Sequence, residues 1–173
     1  MIIVLMGYMG SGKSTIGKEL SKILGYEFVD LDTFIETEEA LSVSEIFQNK
    51  GEIYFRRKEM YYLAKLLDTK GKMVLALGGG TPCYGINMDL ISSQKNVQSI
   101  YLKASLNELY KRLLPEKNRR PLISHLENKD DFIEFLGKHL FERSVFYSKS
   151  QITIATDDKS IDQIVQDIVL NLI

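Results

Sequence analysis

The sequence contains little cysteine, little net charge and no long apolar segment. One cysteine among 173 residues, Cys83, excludes an internal disulfide framework and a metal site made of cysteines alone, and is typical of a reducing compartment. Twenty-two basic against 23 acidic residues leave a net charge of −1, which gives no general electrostatic basis for binding nucleic acid or an anionic membrane. No apolar run approaches the ~18 residues of a membrane span.

The rest of the composition is that of an ordinary globular protein. Apolar residues make up 45% of the chain and charged residues 26%, and no internal repeat or low-complexity segment interrupts it. The length favours a single domain over residues 1–173. Because the first predicted strand starts at residue 2, there is no space for an export signal, and we expect a cytoplasmic protein.

A glycine-rich stretch near the amino terminus is the most informative feature. Ile2–Met6 is a continuous aliphatic run typical of a buried parallel strand, and residues 7–15 match the pattern G-x-x-x-x-G-K-[ST]. A helical apolar period follows and ends at Gly25. In this context the loop is predicted to hold nucleotide phosphates in a nest of backbone N–H groups, with Lys13 reaching the β and γ phosphates and Ser14 binding Mg²⁺. The residues predicted to contact the phosphates are Gly10, Ser11, Gly12, Lys13, Ser14 and Thr15.

Predicted strands and helices alternate through the whole chain. The strands are expected at residues 2–6, 27–30, 73–77, 97–102 and 152–155. Such alternation predicts an α/β fold in which helices cover a parallel sheet. Ligands of these sheets bind at the carboxyl edge, where three predicted segments meet: the phosphate loop, residues 30–32 and the triple glycine at 78–80.

Two carboxylates, Asp30 and Asp32, follow the second predicted strand. Asp32 is a candidate to accept a hydrogen bond from an attacking hydroxyl and so raise its nucleophilicity. Asp30 is a candidate to bind Mg²⁺ through water. The alternative for either residue is that it caps the next helix, where aspartate is common.

The helix predicted over residues 53–67 carries a candidate anion-binding arginine. Arg56 lies on nearly the same helical face as Ile53 and Met60, which are predicted to belong to an apolar stripe, so it is expected to be held toward the interior. Arg57 is turned about 100° away from it. Arg56 is therefore the better candidate for binding a small anionic substrate.

A polar segment from Pro115 to Asn128 has the length and composition of a mobile lid. Arg119 or Arg120 within it is expected to move onto the transferring phosphate, and spacing alone does not choose between them. Arg112 and Arg143 are, on pattern alone, equally consistent with surface charges.

Neither histidine is predicted to bind a metal ion. His125 and His139 have no second histidine or cysteine at ligand spacing. Cys83 lies next to the triple glycine, but no general base is close to it in sequence. We therefore expect Cys83 to be a small packing residue.

Several of these motifs occur in the order found in the shikimate kinases, and the resemblance runs nearly from end to end. The matching segments are residues 7–15, 28–32 with 35–36, 51–59, 77–80, 120–122 and 143–147. The phosphate loop alone is shared by many families, whereas the ordered set is far more specific. The chain therefore resembles a shikimate kinase.

The resemblance implies a three-layer P-loop kinase fold, with a five-stranded parallel sheet in the order 2-3-1-4-5, a substrate-binding region at about residues 32–62 and a lid at about 113–128. It implies Mg²⁺-dependent transfer of the ATP γ-phosphate to the 3-hydroxyl of shikimate, which gives shikimate 3-phosphate and ADP. No partner beyond these small molecules is expected, and we expect a monomer.

The resemblance also implies roles for individual residues. Asp32 would bind the shikimate hydroxyls and assist attack, and Asp30 would lie near Mg²⁺ with Ser14. The shikimate carboxylate would be held by Arg56 and Arg143. The remaining implied contacts are the backbone of Gly78, Gly79 and Gly80 to the substrate, Arg120 to the phosphates and Arg112 to adenine. The sequence departs from the family in a slightly longer lid and in the adenine loop, residues 156–159, which lacks an arginine often present there.

Two rival functions remain for comparison. A gluconate or nucleoside monophosphate kinase would share fold, lid and magnesium site but would need a different acceptor pocket. A GTPase-type switch is suggested by residues 128–131, which match N-K-x-D, and by residues 68–71, which match D-x-x-G. Both strings lie outside the expected context of a preceding buried strand, so we interpret them as chance matches.

Overall fold

The computed structural model describes residues 1–172, and its centre is a five-stranded parallel sheet. The strands, in spatial order, are β2 (Glu27–Asp30), β3 (Met73–Ala76), β1 (Ile2–Met6), β4 (Val97–Lys103) and β5 (Ile152–Ala155). This confirms the predicted order 2-3-1-4-5. β1 lies in the middle, and all five of its residues are buried because neighbouring strands flank it and helices cover both faces.

Helices form a layer on each face of the sheet. They are α1 (Lys13–Leu24), α2 (Leu31–Glu39), α3 (Val43–Leu67), α4 (Asn87–Ser93), α5 (Leu106–Leu113), α6 (Lys129–Tyr147) and α7 (Ile161–Leu172). Alternate residues of β1 belong to different cores, since successive strand side chains point to opposite faces. Ile3 and Leu5 pack with α1 and α7, whereas Val4 and Met6 pack with α2 to α6. The predicted three-layer architecture is confirmed.

Helix α3 is one assigned element with a break in its first half. Gly51 has φ 82° and ψ 170°, which is not a helical conformation. A residue with a side chain would be strained at this positive φ. The break agrees with the sequence, which predicts a short helix closed near Gly51 and a longer one after it. The predicted apolar stripe is wrong in its first half, because Ile53 is 81% exposed and Met60 is also exposed, and right at Leu63 and Leu67, which are buried. The full set of buried residues beyond the break is Phe55, Glu59, Tyr62, Leu63, Leu66 and Leu67.

The segment predicted as a polar loop is more regular than expected. A 3₁₀ helix occupies Leu114–Arg119, directly after α5, and turns follow it. Ile123 within those turns is completely buried in the main core. The segment therefore has an apolar attachment to the domain. None of the helices among residues 1–172 has the length and apolarity needed to cross a membrane.

Candidate active site

The carboxyl ends of the parallel strands open into one cleft of about 870 Å³. Most of the predicted site residues line it, namely Gly10, Ser11, Gly12, Lys13, Ser14, Thr15, Asp30, Asp32, Gly78, Gly79, Arg112 and Arg120. Arg56, Gly80 and Arg143 do not line this cleft among the residues described. They lie beside it, and a Cβ on Gly80 would be 3.2 Å from Arg56 Nη2. Burial raises the pKa of the nearby Cys83 thiol, and the charges of Arg143 and Arg56 oppose this shift.

The phosphate loop has the backbone geometry that its glycines predict. Gly10 and Gly12 have φ of 81° and 94°, a region that other residues rarely adopt. Lys13 Nζ donates to the carbonyl oxygens of Gly7 at 2.8 Å and Tyr8 at 3.0 Å. Burial lowers the Lys13 pKa to about 8, although Asp32 and Asp30 oppose this shift. Phosphate oxygens near this ammonium would favour its charged form.

Asp30 uses its two oxygens for two different purposes. Oδ1 accepts from the backbone N–H groups of Asp32 and Thr33, at 3.1 and 3.3 Å, and so caps α2. Oδ2 accepts from Ser14 Oγ at 2.8 Å. The two alternatives that the sequence left open for Asp30 are therefore compatible, since the cap leaves one carboxylate oxygen beside the Ser14 hydroxyl.

This pair of oxygens suits Mg²⁺, which prefers hard oxygen ligands and is usually held by one or two protein groups together with phosphate and water. Among residues 1–172, no cluster of three or more His, Cys, Asp or Glu side chains is able to hold a metal ion. A cation at Ser14 and Asp30 would therefore depend on nucleotide oxygens for most of its shell.

Asp32 lies in the first turn of α2 and does not cap it. Burial, together with the charges of Asp30 and Glu59, raises the pKa of Asp32 to about 6, against the opposing charge of Lys13. A Cβ on Gly78 would lie 3.0 Å from Asp32 Oδ1, so the glycine leaves space directly over the carboxylate. A partly buried carboxylate with a pKa near neutrality is suited to accept a proton from a hydroxyl.

Arg56 is held by a residue that sequence reasoning missed. Its Nη1 donates to Glu59 Oε2 at 2.9 Å, and its guanidinium lies 3.7 Å from the centre of the Tyr84 ring. Glu59 is only 1% exposed, and its other oxygen accepts from Thr81 Oγ1 at 2.7 Å. Arg56 is thus oriented as predicted, but by this buried carboxylate and not by the predicted apolar stripe. Lys58 and Glu59 are adjacent charged residues, and nothing in the sequence indicates that Glu59 is the buried residue of the two.

Helix α6 contributes the other predicted arginine, Arg143, and two further polar groups. Arg143 Nη1 lies 3.1 Å from Nδ1 of His139, one turn earlier. The same Nδ1 lies 2.8 Å from the hydroxyl of Tyr8 in the phosphate loop. One turn after Arg143, the buried hydroxyl of Tyr147 donates to the Gly79 carbonyl oxygen at 2.5 Å.

The Tyr147 contact orients the triple-glycine turn. In a trans peptide the C=O of Gly79 and the N–H of Gly80 point in opposite directions. Because Tyr147 fixes the carbonyl on the α6 side, the Gly80 N–H is directed away from α6. The sequence indicates backbone contacts by these glycines but gives no sign of the tyrosine that orients them.

Arg112 is more constrained than a residue that simply lies against a base. Its Nε donates to Glu108 at 2.8 Å, and its Nη2 donates to the Thr156 carbonyl at 3.0 Å. Its Nη1 is 3.4 Å from the carbonyl oxygens of both Gly10 and Ser11. Arg112 therefore connects the phosphate loop to the predicted adenine loop.

Arg120 lines the cleft, but its guanidinium is occupied within its own segment. Its Nε donates to Glu116 Oε2 at 2.8 Å, and its Nη2 contacts the same oxygen. The pair is largely exposed, so it is weak and easily exchanged for another anion. Arg119 also lines the cleft, so the geometry does not decide between the two arginines.

The fold, the phosphate loop at the end of β1 and the carboxylates opposite it define a P-loop kinase. A family model described as shikimate kinase matches residues 9–173. The chain is 48% identical to the shikimate kinase of Flavobacterium johnsoniae over 166 residues, which cover 96% of this chain and 95% of the relative. It is 36% identical to that of Parabacteroides distasonis, over 96% of this chain and 94% of the relative. The chain therefore belongs to the shikimate kinase family.

Solved structures agree with this assignment. A shikimate kinase from Bacteroides thetaiotaomicron has a TM-score of 0.89 at 31% identity, over 99% of this chain and 98% of that one. The shikimate kinase from Acinetobacter baumannii in complex with shikimate has a TM-score of 0.85 at 31% identity, over 99% and 92%. A gluconokinase from Sinorhizobium meliloti, at 17% identity and a TM-score of 0.59 over 98% and 90%, shares the fold alone.

The two strings suggestive of a GTPase have ordinary structural explanations. Asn128 caps α6, since its Oδ1 accepts from the backbone N–H of Asp131 at 2.8 Å. Residues 68–71 form the turn between α3 and β3. Neither string follows a strand, which agrees with their interpretation as chance matches.

Proposed function

We propose that this chain transfers the γ-phosphate of ATP to the 3-hydroxyl of shikimate, giving shikimate 3-phosphate and ADP. The observation that carries the proposal is the position of Asp32, a partly buried carboxylate with a pKa near 6 that lies beside Gly78 and shares one cleft with Lys13. A carboxylate there meets an acceptor hydroxyl where the phosphate loop would place the transferring phosphoryl group.

The proposed roles divide between the two substrates. Backbone N–H groups of residues 10–15 and the Lys13 ammonium bind the phosphates and stabilise the charge that develops on the transferring group. Ser14 and Asp30 hold Mg²⁺, which supplies further positive charge to the phosphate oxygens when bound. Asp32 orients the acceptor hydroxyl and accepts its proton.

The acceptor is proposed to be a carboxylate-bearing polyol. Arg56 and Arg143 hold its carboxylate, since guanidinium groups bind carboxylates with two parallel N–H donors. Gly78 to Gly80 leave space for the ring of the acceptor and offer backbone N–H groups to it. Neither a nucleoside monophosphate nor gluconate has a ring, hydroxyls and one carboxylate together.

We further propose that residues 113–128 form a lid and that Arg120 leaves Glu116 for the nucleotide phosphates when the lid closes. The exposed pair and the cleft position of Arg120 support this exchange. Hydrogen exchange of residues 113–128 should slow when an ATP analogue and shikimate are both bound. Unchanged exchange, or an Arg120→Ala variant with intact kcat, would contradict it.

ATP preference, cytoplasmic location and a monomeric state are proposals as well. Arg112 and Lys159 line the cleft and Arg112 contacts the Thr156 carbonyl, which supports recognition of adenine by residues 156–159. The single cysteine is consistent with a reducing compartment. Comparison of ATP with GTP as donor and light scattering of the purified protein test the first and the last of these.

The test of the proposed function is turnover across a panel of acceptors at one fixed ATP concentration. Shikimate should be phosphorylated fastest, with gluconate and nucleoside monophosphates at background. Faster turnover of either competitor would overturn the substrate assignment and leave the P-loop kinase class intact. ATP hydrolysis without any acceptor dependence would contradict both.

A further inference from the structure

His139 is the central residue of a hydrogen-bonded group that joins α6 to the phosphate loop. Its Nδ1 lies 2.8 Å from the Tyr8 hydroxyl and 3.1 Å from Arg143 Nη1. The rings of His139 and Tyr8 meet edge to face with their centres 5.5 Å apart, and Tyr8 is only 1% exposed. The Arg143 guanidinium lies 5.9 Å from the centre of the same Tyr8 ring. One imidazole nitrogen thus contacts both substrate regions of the site.

These contacts favour the neutral form of His139 with its ring proton on Nε2. A guanidinium group has N–H donors and no acceptor, so Nδ1 must carry its lone pair toward Arg143. The ring proton then lies on Nε2, and the single lone pair of Nδ1 is shared between the Arg143 N–H and the Tyr8 hydroxyl in a three-centre hydrogen bond. In an imidazolium Nδ1 carries a proton and no longer accepts from Arg143; its N–H is still able to donate to the Tyr8 oxygen, but it lies beside the positively charged guanidinium.

The charged and titratable groups around His139 favour its neutral form. Burial and the positive charge of Arg143 lower the His139 pKa, and Glu142, the adjacent acidic residue on α6, opposes them. Tyr8 faces the ring from the phosphate loop and stays neutral, because burial raises its pKa. His125, from the segment before α6, meets the Phe135 ring edge to face, and the same Phe135 ring lies tilted against His139 with the ring centres 5.3 Å apart.

We propose that neutral His139 is a positioning residue for the acceptor: it holds the Arg143 guanidinium in the orientation that binds the acceptor carboxylate and ties that orientation to the phosphate loop through Tyr8. This inference rests on the proposed function, since it takes Arg143 as a carboxylate-binding group. An arginine side chain has many rotamers, and one fixed N–H directs the remaining donors of its planar group. The expected effect therefore falls on acceptor binding.

Two substitutions separate positioning from simple packing. His139→Leu fills the volume without an acceptor atom and should raise the shikimate KM by about tenfold, the loss expected for a hydrogen bond to a charged group, with the ATP KM within about twofold. His139→Asn keeps an oxygen acceptor on a short side chain and should restore most of this loss. An unchanged shikimate KM in His139→Leu, or equal impairment in both variants, would overturn the proposal.

The pH dependence gives a second and independent measure. Because only the neutral ring accepts, the shikimate KM of the unmodified protein should be constant above about pH 6.5 and rise as the pH falls through the lowered His139 pKa. His139→Asn should lose this rise, whereas His125→Asn should keep it. The effect of protonating Asp32 is expected mainly on kcat and is common to all three proteins. A rise retained in His139→Asn would contradict the proposal.

Nitrogen NMR tests the tautomer without any substrate. His125→Asn leaves one histidine, whose ring signals are then those of His139. An unprotonated Nδ1, a protonated Nε2 and a pKa below about 6.5 are expected in the free protein. A proton on Nδ1 at neutral pH would overturn the proposal even if shikimate is the acceptor. Conversely, failure of the unmodified protein to phosphorylate shikimate would reject the proposed function and leave the NMR result standing.

Discussion

The nucleotide side and the acceptor side of the cleft are built in different ways. The phosphate loop is one continuous segment at the end of a buried strand, and its lysine bonds to carbonyl oxygens of the same loop. On the acceptor side, Arg56 and Arg143 come from α3 and α6, and buried or half-buried partners, Glu59 and His139, orient them. The nucleotide side depends on residues that would touch phosphate. The acceptor side also depends on residues that would touch no substrate but orient those that do.

Loss of the loop lysine should have the largest effect and should fall on the nucleotide side alone. Lys13→Met is expected to leave the fold intact and to lower kcat by about 1000-fold, because a preorganised cation at the transferring phosphate is removed. Steady-state kinetics and circular dichroism measure the two outcomes. Lys22→Met, at an exposed position on the same helix, is the matched control and should keep its activity. A folded Lys13→Met protein with near-normal kcat would contradict the role of Lys13 in phosphoryl transfer.

The residue between the two sides should show a smaller loss in kcat. Asp32→Asn is expected to lower kcat by about 100-fold with little change in KM, since the amide still forms hydrogen bonds but accepts no proton. In the unmodified protein, activity should fall as Asp32 is protonated below about pH 6, and bound Mg²⁺ nearby would shift this limit downward. Glu38→Gln, on the same helix, is the control. A larger change in KM than in kcat would mean that Asp32 only binds the acceptor.

The same substitution should make the free protein more stable at neutral pH. Folding raises the pKa of Asp32 from 3.8 to about 6. Between these values the unfolded protein ionises Asp32 more readily than the folded one, so the free energy of unfolding falls as the pH rises above 3.8, and the loss is complete above about pH 6. Asp32→Asn removes this penalty, worth about 3 kcal/mol, and the gain should vanish below about pH 4. Urea unfolding at pH 8 and pH 4 compares the two proteins.

A change to the fork geometry of Arg56 should break only the acceptor side. Arg56→Lys keeps the charge and loses the planar pair of donors, so the shikimate KM should rise by about 30-fold, equivalent to about 2 kcal/mol, while the ATP KM stays nearly constant. The neighbouring exposed residue provides the control, since Arg57→Lys should change neither constant. An unaltered shikimate KM in Arg56→Lys would show that the arginine binds something else.

The smallest effect should come from a residue that only orients backbone. Tyr147→Phe removes the hydroxyl that fixes the Gly79 carbonyl and should raise the shikimate KM by about fivefold. Tyr101→Phe is the matched control, because it removes a hydroxyl from the neighbouring ring, whose centre lies 5.1 Å from that of Tyr147. Equal effects of the two substitutions would indicate a loss of packing and not of orientation.

Local sequence patterns predicted the nucleotide side well for a physical reason. The loop glycines, Lys13 and Ser14 are neighbours in the chain, so one short pattern contains the complete arrangement. The buried strand before the loop and the capped helix after it also follow from local periods. The pairing order of the strands was inferred from the family resemblance, because periodicity does not say which strands are neighbours.

The acceptor side could be predicted only in part. Arg56 and Arg143 are matched by resemblance, but what orients them depends on contacts between distant segments. Glu59 lies next to Lys58 in a charged stretch, and the helical pattern predicts that Ile53 is buried, but Glu59 is the buried residue and Ile53 the exposed one. His139 and Tyr147 lie on a helix that gives no local sign of their partners 131 and 68 residues away.

With the proposed role of Asp30 at the magnesium ion, this residue would link the evolution of catalysis to that of folding. One oxygen of its carboxylate begins a helix and the other faces Ser14, so a substitution that removes the carboxylate loses both contacts at once. Asparagine is an exception, because it still caps a helix well. Selection for a stable domain alone would therefore keep an oxygen-bearing side chain here, and only selection on activity would distinguish aspartate from asparagine. A lineage that lost the activity should drift toward asparagine at this position before it drifts to any other residue.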